Sequence, residues 1–281
     1  MTTVTTKAIN STTQQIAALK QAGFTPAETK VRRRLIISIE GDEKTGKNNF
    51  AFTAPDPMAV FSFDSGLEGV VEKFVSGTAE VGGIKVPKKV IYVKEMDTPP
   101  TNTGGSRNNV SIGVPGFDYT AMWEGFVRDY RAILKAGVRT VIWDTATEIY
   151  ELQRLYRFGK LSEVPANMWG PLKAEYRALI RNAYDSHTNL ILLHKTAPEY
   201  VNDKRTGRRL ISGLTDIGFV VQVNLKTFRV DNEDGGSDYS VKVLDCRQNG
   251  QLNGKVYSGV MTTFPWLAVE VIEDSGLEEW E

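Results

Sequence analysis

The chain has 281 residues, of which 41% are apolar, 24% charged and 10% aromatic, a composition that excludes disorder, collagen and an extended coiled coil for the whole. Thirty-four basic side chains balance 34 acidic ones, which excludes nucleic-acid binding through a global positive field and leaves only a local patch for it. One cysteine, Cys246, and two histidines exclude an internal disulfide and a Cys/His zinc site, and with no long apolar run and no apolar signal core at Met1–Thr6 the expectation is a cytoplasmic protein.

Residues 1–30 are rich in Thr, Gln and Ala, with a short helical stretch over Thr13–Gln21 and a stop at Gly23, and read as an N-terminal arm. From Val31 short apolar runs alternate with helical segments, the pattern of an α/β domain built on a mainly parallel sheet flanked by helices. The runs are Leu35–Ile39, Met58–Phe63, Val90–Val93, Thr140–Trp143, Leu190–Leu193 and Phe219–Val223. The spacing predicts helices over Tyr119–Lys135, between an Asp118 cap and Gly137, over Ala146–Phe158, and over Pro171–His187 with Leu172, Tyr176, Leu179 or Ile180, and Ala183 on one face. Residues 97–116, dense in Pro, Gly, Asn and Ser, read as a long mobile loop. The core is expected to span 31–225. Residues 226–281 then form a C-terminal β-extension of the same domain, a hairpin around Asp234–Ser237 followed by an acidic tail from Glu270 that frays. Trp123, Tyr130 and Trp169 are expected to pack, and Cys246 to be a small buried hydrophobe.

The chemistry concentrates in Gly41-Asp42-Glu43-Lys44-Thr45-Gly46-Lys47-Asn48-Asn49, which follows the first apolar run and opens a short helix ended by Pro55. That is the context of a P-loop: glycines permit the turn, successive N–H groups form an anion nest with the helix N-terminus, and Lys47 reaches the β- and γ-phosphates of a nucleotide. The next residue is ordinarily Ser or Thr, whose hydroxyl ligates Mg²⁺. Here it is Asn48, whose amide oxygen is a bulkier hard-cation ligand. Asp144, ending the run Thr140–Trp143, is the candidate carboxylate for the hydrated magnesium, the alternative being a helix N-cap. His194, ending the run Leu190–Leu193, is the candidate γ-phosphate sensor. Asp64 and Glu68, after the second run, are candidates for orienting the attacking water.

The order of P-loop, Ala51-Phe52-Thr53-Ala54-Pro55, Phe61-Ser62-Phe63-Asp64, Asp144-Thr145-Ala146-Thr147-Glu148 and Leu192-Leu193-His194-Lys195 resembles the phage RecA-like AAA-type ATPases, some of which act in single-strand annealing and recombination. The resemblance covers roughly 31–225. It implies a RecA-like core in which one strand separates the P-loop strand from the Asp144 strand, with ATP as the nucleotide. It also implies phosphate contacts from Gly41, Gly46 and Lys47, the magnesium carboxylate at Asp144 and the polar sensor at His194. Two positions depart from the pattern: Asn48, and Gly66, which stands two residues after Asp64 where RecA-like enzymes carry a catalytic Glu. In such proteins a loop after the sensor strand contacts DNA. The corresponding stretch here is Asn202–Arg209, which reads as a glycine-containing hairpin tip with Lys204, Arg205, Arg208 and Arg209, and Tyr200 beside it as a stacking surface. A trans arginine finger and a solvated turn are the other readings of that cluster. The run Lys30, Arg32, Arg33 and Arg34 reads as solvated.

Together these readings give an ATP- and Mg²⁺-binding protein, a slow DNA-dependent ATPase of phage recombination or single-strand annealing in an infected bacterial host. Single-stranded DNA is the expected partner, with assembly into a ring or filament also open. The alternatives are a non-hydrolysing, nucleotide-gated interaction module of a replication or packaging complex, favoured by Asn48 and Gly66, and a small-molecule P-loop kinase.

Overall fold

The computed structural model of the chain describes residues 13–27, 32–63, 65–97, 101–102, 112–114, 116–159, 164–201, 204–231 and 237–281. The chain divides into two compact units, Met1–Arg32 and Arg33–Glu281. In the first, residues 13–21 form helix α1, and Gly23 follows with φ of 85°, a left-handed conformation that stops a helix.

The second unit runs in the order β1 (Ile36–Gly41), α2 (Lys47–Ala51), β2 (Met58–Ser62), α3 (Val71–Ser76), β3 (Glu80–Val81), β4 (Ile84–Lys85), β5 (Ile91–Glu95), β6 (Thr101–Asn102), β7 (Ile112–Gly113), α4 (Tyr119–Ala136) and β8 (Thr140–Asp144). It continues through α5 (Ala146–Phe158), α6 (Trp169–Tyr184), β9 (Asn189–His194), β10 (Thr196–Val201), β11 (Lys204–Ile211), β12 (Val223–Asp231), β13 (Ser237–Cys246), β14 (Val256–Tyr257) and α7 (Phe264–Val271). Eight strands make one sheet in the order β14-β13-β12-β1-β9-β8-β2-β5. The six from β12 to β5 are parallel, and β13 and β14 add antiparallel pairings at one edge. The expected strand between the P-loop strand and the Asp144 strand is β9. This is an α/β arrangement, its mainly parallel sheet covered by helices on both faces.

Alternation along the strands explains the two layers. Ile37, Ile39, Ile191 and Leu193 pack on one face with Phe50 of α2, Phe74 of α3 and Phe264 of α7. Ile36, Leu190 and Leu192 pack on the other with Trp123, Tyr130, Leu152 and Tyr176 from α4, α5 and α6. Trp123 and Tyr130 are core residues as expected, and Cys246 is buried in β13.

Several expectations are corrected. The run Phe219–Val223 is not a strand: a 3-10 turn spans Ile217–Phe219, with Phe219 exposed, and β12 starts only at Val223. The 225/226 boundary therefore falls inside β12. The acidic end does not fray, because Ile272 and Trp280 are buried against the α2–α7 face, and the Trp280 indole N–H donates to Ser275 Oγ at 2.9 Å. Arg34 is buried rather than solvated. Its guanidinium donates to Tyr184 O at 3.0 and 3.2 Å and to Gln222 Oε1 at 3.2 Å, and lies over the Tyr184 ring. Gly207 is not at a hairpin tip but within β11, beside a register shift, with φ of 81°. The tips at 202–203 and 232–236 and most of the 97–116 stretch lie outside the described residues.

Candidate functional site

β1 delivers the chain from the sheet directly into the loop. Gly41 is required there by its surroundings: a Cβ would lie 2.3 Å from Thr227 Oγ1 and 2.8 Å from Thr227 O. Thr45 fixes the turn, its hydroxyl sitting 2.8 Å from both Asp42 O and the Thr227 hydroxyl, so β12 braces the loop from the side. Lys44 and Gly46 take left-handed φ values of 58° and 87°, the latter immediately before α2. Left-handed residues alternating with others in this way turn backbone N–H groups toward a common concavity. Lys47 Nζ folds back over the loop and donates to Gly41 O at 2.8 Å and Asp42 O at 2.6 Å. Glu43 and Lys44 are exposed on the crest, and Asn49 is half-buried on α2.

Asp144 ends β8 in register with Ser62 of β2 and is buried. It is not the N-cap of α5. That position belongs to Thr145, whose hydroxyl accepts from Glu148 N at 3.3 Å. Asn48 Nδ2 donates to Asp144 Oδ2 at 3.2 Å, so the residue that replaces the usual hydroxyl faces the candidate magnesium carboxylate. These two hard oxygen groups fit Mg²⁺, which takes one or two carboxylates and completes its shell with phosphate oxygens and water, provided the Asn48 amide turns its oxygen toward the ion.

His194 ends β9, in register with Glu40 of β1. It is fully buried, with the Ser212 backbone beside the ring. Burial pushes its pKa down to about 4, so the ring is neutral near pH 7. Burial raises the pKa of Glu40, an effect the Lys226 ammonium 3.9 Å away partly offsets. Glu68 is exposed on the turn after a 3-10 segment at Ser65–Leu67. Asp64 lies outside the described residues.

The basic cluster sits on a separate two-stranded ribbon. β10 and β11 pair antiparallel, placing Tyr200 opposite Arg205 and Val201 opposite Lys204. Tyr200, Lys204, Arg205 and Arg208 are exposed. Arg209 differs, since its Nε lies 2.5 Å from Asp42 Oδ1 and it also donates to Thr196 Oγ1 and Thr196 O at 2.9 and 2.7 Å. Thr196 Oγ1 in turn donates to Asp42 Oδ1 at 2.6 Å. The Thr196 hydrogen bond, with Arg209 adding to it, holds the Asp42 carboxyl below its ordinary value. Sequence reading missed this link between ribbon and loop, because contacts between residues so far apart leave no local pattern.

No family model matches the chain, and no curated protein matches it by sequence. Among solved structures, it is similar to a KaiC-like protein of the hyperthermophilic archaeon Pyrococcus horikoshii, at 13% identity over 80% of this chain and 84% of that one, with a TM-score of 0.45. Among the described residues no helix is long and apolar enough to cross a membrane.

Proposed function

We propose that the chain binds ATP with Mg²⁺ at the Gly41–Asn49 loop and hydrolyses it slowly, and that single-stranded DNA on the β10–β11 ribbon stimulates the turnover. The observation that carries the reading is the Asn48–Asp144 contact at 3.2 Å. It brings the phosphate loop of β1 and the carboxylate of β8 together across the intervening β9, at the place where a nucleotide's terminal phosphates and their cation meet in P-loop enzymes. Bound there, Mg²⁺ would neutralise charge on the terminal phosphates. Lys47 would exchange its two loop carbonyls for phosphate oxygens, the loop N–H groups would orient the chain of phosphates, and Asp144 would hold the hydrated cation. The Asp42–Arg209 ion pair supports a connection between nucleotide and ribbon, because a ligand that reorders the loop also moves the anchor of β11. Phage recombination or annealing is the setting that the sequence resemblance suggests for such an activity.

Asn48 favours a second reading, a nucleotide-gated module that binds without turnover. Steady-state ATP hydrolysis with Mg²⁺, with and without single-stranded DNA and beside a Lys47→Ala control, separates the two. DNA-stimulated turnover lost in the control is expected. ATP binding without any Lys47-dependent turnover supports the module instead.

A further inference from the structure

A cleft of about 460 Å³ opens beside the phosphate loop, in the range of small-molecule sites. It lies toward β12 and β13, whereas Asp144 stands two strands from β1 in the opposite direction. Successive residues of a helix point about 100° apart. α2 accordingly turns Asn48 to Asp144 and presents Asn49 to the cleft. If the terminal phosphates lie at the Asn48–Asp144 end, the other end of the nucleotide emerges at Gly46 and Asn49.

The cleft is built for an uncharged, flat group. The Tyr239 ring from the start of β13 lies over Gly46, where a Cβ would be 3.1 Å from Tyr239 Cδ1, and the residue remains 42% exposed. Another part of the lining is main chain. Gly82 packs backbone to backbone on Gly259, with room for no side chain, since a Cβ would lie 1.9 Å from Gly259 O. Gly83 beside it has no atom within 4 Å of where a Cβ would stand. Among the described lining residues there is no Lys or Arg, while Glu80 and Asp238 contribute carboxylates. That charge repels phosphate and suits hydroxyl and amino donors.

We propose that this cleft seats the nucleoside of the bound triphosphate, the purine resting on the Tyr239 ring and its outer edge facing the Gly82–Gly83 turn, with the ribose near Asn49. This assignment rests on the phosphate-loop reading above and adds to it the part of the ligand that the loop does not recognise.

The test compares equilibrium binding of ATP and of inorganic tripolyphosphate to the full chain and to Tyr239→Ala, Tyr239→Phe and Lys47→Ala variants. Loss of one base–aromatic stack weakens ATP binding about tenfold in Tyr239→Ala. Tyr239→Phe is expected to bind ATP like the unaltered chain, and tripolyphosphate binding to be the same for all but Lys47→Ala. A Tyr239→Ala variant that binds ATP unchanged, or that loses ATP and tripolyphosphate equally, overturns the nucleoside seat while Lys47-dependent binding leaves the loop reading standing. If the unaltered chain binds neither ligand, both readings fall. Photolabelling of the unaltered chain with 8-azidoadenosine triphosphate gives an independent readout. Adducts are expected within 237–246 or 80–85, and adducts confined to other peptides overturn the assignment.

Discussion

Arg209 on β11 and Asp42 in the Gly41–Asn49 loop meet as an ion pair at 2.5 Å, with the Thr196 hydroxyl bonded to the same carboxylate oxygen. The base of the basic ribbon is thus tied to the loop, while Tyr200, Lys204, Arg205 and Arg208 further along it face solvent. Both partners are partly exposed, at 35% and 59% of their side-chain surface, so the pair contributes below about 1 kcal/mol to global stability.

The expected consequence of Arg209→Ala is therefore local. Amide exchange over 204–211 accelerates while the global unfolding midpoint in urea stays nearly constant. Unchanged exchange over this strand would show that the ion pair does not anchor the ribbon. Because the Asp42 carboxyl is held below its ordinary value of 3.8, its contribution is fully present above that value and is lost only as pH falls through the lowered one. Ribbon protection is accordingly the same at pH 6 and pH 8.

On the proposed magnesium site, Asn48→Thr replaces an amide that must turn its oxygen toward the cation with a hydroxyl that needs no such choice. With Mg²⁺ held more closely, turnover at saturating ATP rises several-fold over the unaltered chain, and ATP binding without Mg²⁺ changes little. Turnover that stays the same would mean that position 48 does not limit the cation.

His194 gives a pH signature. Its folded pKa of about 4 lies below the ordinary 6.5, so between these values the unfolded chain binds more protons and stability rises with pH, by on the order of 3 kcal/mol over the window. Glu40, the register partner, has a raised pKa and contributes the opposite slope above its ordinary value of 4.5. His194→Leu removes the histidine component and leaves the Glu40 component. Urea unfolding from pH 4 to 7 distinguishes them, and an identical pH profile in variant and parent would contradict the buried neutral imidazole.

Trp280 tests the C-terminal segment. Its side chain is 1% exposed, with its ring centroid 6.0 Å from that of Phe264. Removing a buried tryptophan costs about 3–5 kcal/mol, so Trp280→Ala lowers unfolding stability by that amount. A loss under about 1 kcal/mol, the surface-substitution range, would mean that the segment is not part of the core.

What the sequence conveyed was whatever depends on neighbours in the chain. The caps of α4 were legible because Asp118 Oδ1 accepts from Ala121 N three residues on, and Gly137 ends the helix in a left-handed turn. The loop from Gly41 to Lys47 was legible for the same reason. The run at 219–223 misled because apolar residues can close a 3-10 turn as readily as begin a strand. Trp280 and Arg34 misled because a tail dense in acids and a run of basic residues suggest solvent, whereas their burial is decided by partners far along the chain, among them Phe264, Tyr184 and Gln222. The Thr196–Asp42 contact spans 154 positions, and the seating of Tyr239 over Gly46 depends on sheet order, which periodicity does not encode.

The cap of α5 belongs to Thr145 rather than to its neighbour. Asp144→Asn can therefore erase a negative charge without unwinding the helix that begins two residues later. On the magnesium role proposed for Asp144, position 144 offers a separation-of-function allele: a protein that folds, keeps its sheet and assembles with whatever it assembles with, yet is silent in any step that needs a divalent ion. Expressed beside the unaltered chain, such a protein would reveal whether copies act alone or poison one another.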